Sequence, residues 1–267
     1  MIELDAYLAR IGYAGPREPT LETLHGLYRA HLYTVPFENL DVLLKRPIRL
    51  DPASLQQKIV ANRRGGYCFE SNALFMYALQ ALGFPVTPLA ARVLWKRDDP
   101  ALPPRSHMLL MVDLEDGLYL ADVGFGGETP PEPLKVAVGV EQATSHEPYR
   151  LRRTEDGELD LQARMAGEWG TLYRFTLHPQ LPVDFEHANW HVSTHPDSFF
   201  TGNLTAALTG EGCRYTLLNR EFRTRWPDGR VEIEVLEGVT ILADVLSERF
   251  GIAVSSADAS ALSALLR

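Results

Sequence analysis

Apolar residues recur at helical spacing through the first 83 positions and then give way to the alternation of strands, so periodicity divides the chain before any residue is considered for chemistry. Asp5 to Ile11 reads as a short amphipathic helix ending at Gly12. Thr20 reads as the N-cap of a second helix that carries Leu21, Leu24, Leu27, Tyr28 and Leu32 and is ended by Val35-Pro36. Asp51 is a further N-cap candidate, ahead of Leu55 and Ile59. The spacing predicts another helix from about Cys68, with Leu74, Tyr77, Ala78, Ala81 and Leu82 leading to Gly83, a residue suited to the left-handed turn that closes a helix.

After Phe84-Pro85 the pattern is that of strands: Val86 to Trp95, His107 to Leu114, Leu118 to Val123, Pro148 to Arg153, Leu159 to Met165 and Leu172 to Thr176. Asp116-Gly117 and Asp156-Gly157 are hairpin signals between pairs of them, which makes this region an antiparallel sheet or barrel. Further strands are expected near Tyr215 to Leu218, Glu221 to Arg225 and Val231 to Val235, with Asp228-Gly229 as a turn. Helices follow at Val239 to Phe250, stopped by Gly251, and at Ala257 to Leu266. The expected fold is α+β: a helical bundle over residues 1–84, a β-barrel over 85–185 and an α/β lid over 186–267.

Composition narrows the function without naming it. A chain of 267 residues with 45% hydrophobic and 23% charged residues buries a core without staples. Its 26 Lys and Arg against 35 Asp and Glu leave a net charge of -9, which repels a polyanion and argues against nucleic acid as a partner. Glu3 and Asp5 stand where a signal peptide would be basic, and no apolar run approaches membrane-spanning length, so a cytoplasmic protein with no membrane partner is expected. Two cysteines make no disulfide framework, and in a reducing compartment both are free thiols, which turns attention to reactivity.

Cys68 lies in Arg64-Gly65-Gly66-Tyr67-Cys68-Phe69-Glu70, where two glycines lead into the first turn of a helix. Unpaired N–H groups and the positive helix end there favour a thiolate. His107 opens the apolar strand that ends in Val112, and an imidazole is the usual partner of such a thiolate. Asp122, in Leu120-Ala121-Asp122-Val123-Gly124-Phe125-Gly126-Gly127, is an acid inside an apolar run and needs a partner; orienting His107 would supply one. A two-residue Asp116-Gly117 turn sets a test. It pairs residues whose numbers sum to 233, placing His107 opposite Gly126 and Asp122 opposite Met111, four positions or about 13 Å apart. Either a bulge, a longer turn or a bend shortens that gap, or the three residues do not form a triad.

These segments together resemble the arylamine N-acetyltransferase family. The resemblance rests on Val35-Pro36-Phe37-Glu38-Asn39-Leu40, the Arg64 to Asn72 segment, His107, the Ala121 to Gly127 segment and Ser193 to Phe200, in the family's order and spacing over the first three-quarters of the chain. It implies Cys68 as nucleophile with His107 and Asp122, on a core of the cysteine-protease and transglutaminase type. It further implies Phe37, Phe69, Phe125 and Phe200 lining an acceptor pocket, and Gly126 with Gly127 as the loop by which coenzyme A enters. The implied reaction moves an acetyl group from acetyl-CoA to an arylamine or arylhydrazine through an acetyl-cysteine, without a metal. An amide synthase closing a macrocycle, a cysteine peptidase or transglutaminase-like enzyme, and a binding module without chemistry are the competing readings.

Other signals are weaker. Arg97, Arg105, Arg223 and Arg225 are available to coenzyme A phosphates. His187, His191 and His195 have the spacing of metal ligands on a helix, but Pro196 ends it and no acidic ligand accompanies them. Gly124-Phe125-Gly126-Gly127 lacks the Gly-Lys-Ser/Thr of a phosphate loop. Cys213 has no partner of use and reads as structural. Glu38 and Arg64, each among apolar or glycine residues, are expected to pair and brace the nucleophile turn.

Overall fold

A computed structural model describes residues 2–265 other than Asp98 and Pro100. The helical part begins with α1 (Leu4–Ile11), closed by Gly12 at φ 70, and α2 (Leu21–Thr34), whose N-cap Thr20 accepts the Thr23 N–H. A two-residue strand β1 (Phe37–Glu38) and a short α3 (Leu40–Leu43) follow. Asp51 caps α4 (Pro52–Leu55) through the Ser54 N–H, and the helix continues as a π-helical turn over Gln56–Ala61. Helix α5 (Cys68–Ala81) is apolar on nearly every side and is accordingly enclosed, with Cys68 to Met76 all buried.

The barrel is made of β2 (Val86–Val93), β3 (His107–Leu114), β4 (Gly117–Leu120), β5 (Leu134–Lys135), β6 (Glu141–Gln142), β7 (Tyr149–Arg153), β8 (Leu159–Met165) and β9 (Glu168–Phe175). Their order is β5-β4-β3-β2-β9-β8-β7-β6, antiparallel throughout. Its two edges meet through one side chain: the Gln142 amide accepts the Lys135 N–H at 2.8 Å and donates to the Lys135 carbonyl at 2.9 Å, which nearly closes the barrel. Strand β3 is apolar on both faces because both are buried. Met108, Leu110 and Val112 pack on the helices, while Leu109 and Met111 face the barrel interior. His107 shares the parity of Leu109, and so stands at the mouth of the barrel.

The remaining segment holds α6 (Pro182–Thr194), α7 (Phe199–Gly202), β10 (Thr205–Thr209), β11 (Arg214–Leu218), β12 (Glu221–Arg225), β13 (Val231–Val235), α8 (Val239–Phe250) and α9 (Ser256–Leu265). Its sheet runs β1-β10-β11-β12-β13, so the short strand bonded to the glycine turn ahead of α5 is its edge, with Phe37 opposite Ala207. A third apolar cluster, with Leu204, Leu217, Phe222, Leu246 and Phe250, takes in Leu40 and Leu43 from the helical part. Among the described residues no helix is long and apolar enough to cross a membrane.

Several expectations need correction. The hairpin between β3 and β4 turns at Glu115-Asp116, and Met111 pairs Leu120, so the paired numbers sum to 231 in place of 233. The positive φ falls on Gly117, at 131°, inside the first rung of β4. The strand expected over Leu118 to Val123 stops at Leu120, that over Val86 to Trp95 stops at Val93, and that over Leu172 to Thr176 begins at Glu168. Strands β1, β5, β6 and β10 and helices α3, α6 and α7 carried no signal strong enough to read. Most are two to five residues long, too short for a period to show, and α6 has almost no apolar face.

Candidate active site

Two glycines let the chain reach the start of α5. Gly66 donates to the Pro36 carbonyl and its own carbonyl accepts from Glu38 N–H, so the turn is stitched to β1. A side chain at Gly65 would meet the Pro36 carbonyl oxygen at 2.0 Å, and none but glycine fits there. The Glu38–Arg64 pair forms at 2.7 Å with Glu38 wholly buried, bracing the turn as expected. Cys68 then occupies the first residue of α5, 5% exposed, its Sγ directed at the Ser106 carbonyl at 3.8 Å.

His107 Nε2 lies 2.7 Å from Asp122 Oδ2, both side chains almost fully buried. Nδ1 is the ring nitrogen left free of Asp122, and Cys68 is near enough to the imidazole to help raise its pKa. The 13 Å objection is removed by the register. With numbers summing to 231, Asp122 comes opposite Leu109, two positions from His107, a diagonal of about 7 Å that two side chains span. Past Ala121, whose N–H makes the last rung to Leu110, the chain bends back because the Asp122 carboxylate takes the Gly124 N–H at 3.0 Å.

Asn72 belongs to this cluster although the sequence reading did not single it out. One turn beyond Cys68 on α5, its amide donates to the Met108 carbonyl at 2.7 Å and to Asp122 Oδ1 at 3.0 Å, and accepts the Val123 N–H at 3.0 Å. It therefore ties α5 to β3 and to the Asp122 loop. A polar residue on the enclosed face of an apolar helix was the available signal. Tyr28 holds the other side of that loop by donating to the Asp122 carbonyl, and Tyr173 packs its ring 5.1 Å from that of His107. No local pattern marked either tyrosine.

The electrostatics follow from burial and pairing. Burial alone would push the His107 imidazole down, but the charge and hydrogen bond of Asp122, with a contribution from Cys68, raise its pKa well above the usual range. Burial likewise works to raise Asp122, and the imidazolium, the Asn72 amide and the Gly124 N–H outweigh it and hold the carboxyl below its ordinary value. The raised pKa favours the cationic form of His107 beside a buried thiol. This arrangement can stabilise a thiolate, and it can pass a proton between sulfur and whatever stands next to it.

The aromatic residues picked from the sequence fall into two groups. Phe37 and Phe200 meet at a tilt with ring centroids 6.0 Å apart, Tyr67 bridges Phe200 and Phe69, and Phe125 turns an edge to His107 at 5.2 Å. Gly126, at φ 94, lies against the Phe37 ring, and Gly127 against Thr216 of β11. Gly124 lies against the start of α5. A Cβ there would stand 2.9 Å from Cys68 Cα and 2.7 Å from the Asn72 amide nitrogen. Gly124→Ala is therefore expected to lower kcat/KM about 100-fold by shifting the nucleophile, with a stability loss of about 1–3 kcal/mol. Steady-state kinetics and thermal unfolding check this, and wild-type kinetics would show that the contact relaxes harmlessly.

The other candidates lie elsewhere. Arg225 pairs with Glu128 and Glu147, Arg223 with Glu221, Arg97 with Asp99 and Arg105 with Glu158, so each already has a carboxylate partner. The His191 and His195 rings lie 4.6 Å apart and His187 faces Trp190. Among the described residues no group of three or more His, Cys, Asp or Glu is placed to hold a metal ion. Cys213 is a half-buried free thiol. A groove of about 940 Å³ between Val42 to Asp51 and α6 contains none of the three clustered residues.

Comparison with known proteins gives one answer. Residues 20–259 match the N-acetyltransferase family. The chain is 45% identical over 258 residues to the arylamine N-acetyltransferase of Mycobacterium tuberculosis, covering 95% of this chain and 90% of that one. It is 41% identical over 256 residues to the arylamine N-acetyltransferase of Escherichia coli, covering 95% and 90%. Its fold superposes on the structure of the Mycobacterium marinum arylamine N-acetyltransferase in complex with CoA with a TM-score of 0.93, at 41% identity and covering 99% and 98% of the two chains.

Proposed function

The chain belongs to the arylamine N-acetyltransferase family and transfers acetyl groups from acetyl-CoA to arylamines through a cysteine nucleophile, and we propose that this nucleophile is Cys68, served by His107 and Asp122. The observation that carries the assignment is the buried His107 imidazole, held by the Asp122 carboxylate at 2.7 Å and near the thiol at the start of α5.

The reaction runs as two transfers over one sulfur. The Cys68 thiolate attacks the thioester carbonyl carbon, forming a carbon–sulfur bond. The tetrahedral intermediate collapses by expelling the coenzyme A sulfur, which takes the proton of the His107 imidazolium. An arylamine, largely neutral at pH 7, then attacks the acetyl-cysteine. His107, now a free base, takes the nitrogen's proton, the amide forms and the Cys68 thiolate is released beside the regenerated imidazolium. The first-turn N–H groups of α5, which have no partner within the helix, serve the oxyanion of both intermediates.

In this reading Phe37, Phe69, Phe125 and Phe200 receive the flat ring of the arylamine or arylhydrazine, which the Phe37–Phe200 contact and the edge that Phe125 turns to His107 support. Gly126 and Gly127 form the edge along which the coenzyme A arm passes, supported by their position between Phe37 and Thr216. Residues 1–84 supply the nucleophile, 85–185 the histidine and aspartate, and 186–267 the lid. A cytoplasmic setting, with neither nucleic acid nor membrane as partner, suits a free reactive thiol on a chain of net charge -9.

Incubation with acetyl-CoA alone, rapid quenching and peptide mass spectrometry are expected to find one acetyl group on Cys68, lost when an aromatic amine is added. Acetyl on another residue, or none after rapid quenching, would overturn the assignment.

A further inference from the structure

The start of α5 carries a second charge that the reaction does not use. Glu70, its third residue, folds back so that Oε2 accepts the Tyr67 N–H at 3.2 Å, while Oε1 accepts from Lys58 Nζ at 2.7 Å. In an ordinary capping box the glutamate stays in water. Here Glu70 is 2% exposed, and Gly66 leaves the room for it, since a Cβ at that position would meet Glu70 Cβ at 2.7 Å and Oε2 at 2.9 Å. Lys58 comes from the π-helical turn, and its ammonium also reaches Asp41 Oδ2 at 2.9 Å.

A buried carboxylate within one turn of a thiolate opposes it, because both anions compete for the same positive helix end. We propose that Lys58 and Glu70 are positioning residues for Cys68: the Glu70 carboxylate fixes the N-cap from which the nucleophile projects, and the Lys58 ammonium cancels the charge that this device would otherwise set against the thiolate. The inference rests on Cys68 being the nucleophile. The groups facing Glu70 are few: Lys58 from the π-helical turn, Arg64 from the glycine turn, Glu38 from β1, Asp41 from α3 and the Tyr67 phenol. Arg64 is already held by Glu38 at 2.7 Å, which leaves Lys58 as the cation in contact with Glu70. Burial raises the Glu70 pKa, Lys58 pulls it back, and Glu38 and Asp41 push it up again, so the carboxylate depends on that contact.

The test is the pH profile of Cys68 alkylation by iodoacetamide in the whole protein. Lys58→Gln is expected to slow alkylation at pH 7 by about three- to tenfold, a shift of about half to one pH unit in the midpoint, with the same limiting rate at high pH. Lys58→Arg should keep the wild-type midpoint. The double variant Lys58→Gln with Glu70→Gln, which keeps the acceptor and removes the anion, should return toward it. A purely structural role would lower the melting temperature without moving the midpoint or being relieved by the second substitution. If Lys58→Gln does not fold, Glu70→Gln alone decides: the uncancelled ammonium should lower the midpoint by about half a unit, and an unmoved midpoint overturns the proposal. A reactive Cys68 whose profile ignores Lys58 overturns this proposal alone. A wild-type Cys68 that resists iodoacetamide at every pH removes the nucleophile as well.

Discussion

Cys68→Ala is expected to fold and to lose acetyl transfer by at least about 10⁴-fold, because the covalent route has no second thiol to run through. Cys213 is the only other cysteine in the chain and lies between β10 and β11, outside the His107–Asp122 cluster. The cost to stability should be small, about 1–2 kcal/mol, since a single buried sulfur is removed and the fold of the turn depends on backbone bonds to Pro36 and Glu38. The check is paired: turnover with an aromatic amine, and thermal unfolding beside the wild type. A folded Cys68→Ala protein that retained turnover within tenfold would mean that acceptor and thioester react directly. Cys68→Ser should fare little better, because a serine hydroxyl, unlike a thiol, does not rest as an anion beside the His107 imidazolium.

Asp122→Asn is expected to cost about 10³- to 10⁴-fold in kcat/KM, for a reason visible in its hydrogen bonds. One carboxylate oxygen accepts two N–H groups, from Asn72 and from Gly124, and the other faces His107 Nε2. An asparagine there must turn its carbonyl oxygen toward the two donors, so its NH₂ points at Nε2. His107 then has to accept at Nε2 and carry its proton on Nδ1, toward Cys68, where it can no longer take one. The thiolate should become correspondingly rare at pH 7, read as a rise in the midpoint of Cys68 alkylation.

The same pair makes stability depend on pH, and the signs can be worked out. His107 has a raised pKa, so its contribution is complete below the ordinary value of about 6.5 and fades as pH rises through the raised one. Asp122 has a lowered pKa, so its contribution is complete above about 3.9 and fades as pH falls through the lowered one. The stability gap between wild type and Asp122→Asn should therefore be widest between about pH 4 and 6.5 and narrow on either side. Urea unfolding of both proteins across that range tests this. A gap independent of pH would mean that the pair is not ionised in the folded protein.

Much of this site was legible before any coordinates. Helix ends were written in particular residues: Gly12 and Gly251 at positive φ, Thr20 and Asp51 as caps accepting their expected N–H groups. Strands β3, β8, β12 and β13 and helix α8 fall where the pattern put them, because each has enough residues for a period to repeat. Cys68 could be put forward as the nucleophile because a cysteine after two glycines at a helix start has a chemical consequence that depends on local geometry alone.

What local pattern does not hold is register. Asp116-Gly117 is a good turn dipeptide, and reading it as the loop placed His107 and Asp122 too far apart to meet. Only the folded hairpin, turning at Glu115-Asp116, put them on one diagonal. A shift of the turn by one residue moves every cross-strand partner by two, and the energy that selects it comes from packing on both faces of β3, not from the turn itself. Asn72 and Tyr173 acquire their roles in the same way, from contacts across 50 or more positions that no window of sequence contains. The sequence alone determined which residues bear reactive side chains and which of the clearly periodic segments are helix or strand, because those depend on side-chain type and short periods. The tertiary structure alone decided which of those residues meet, because that depends on how the buried faces of distant segments fit.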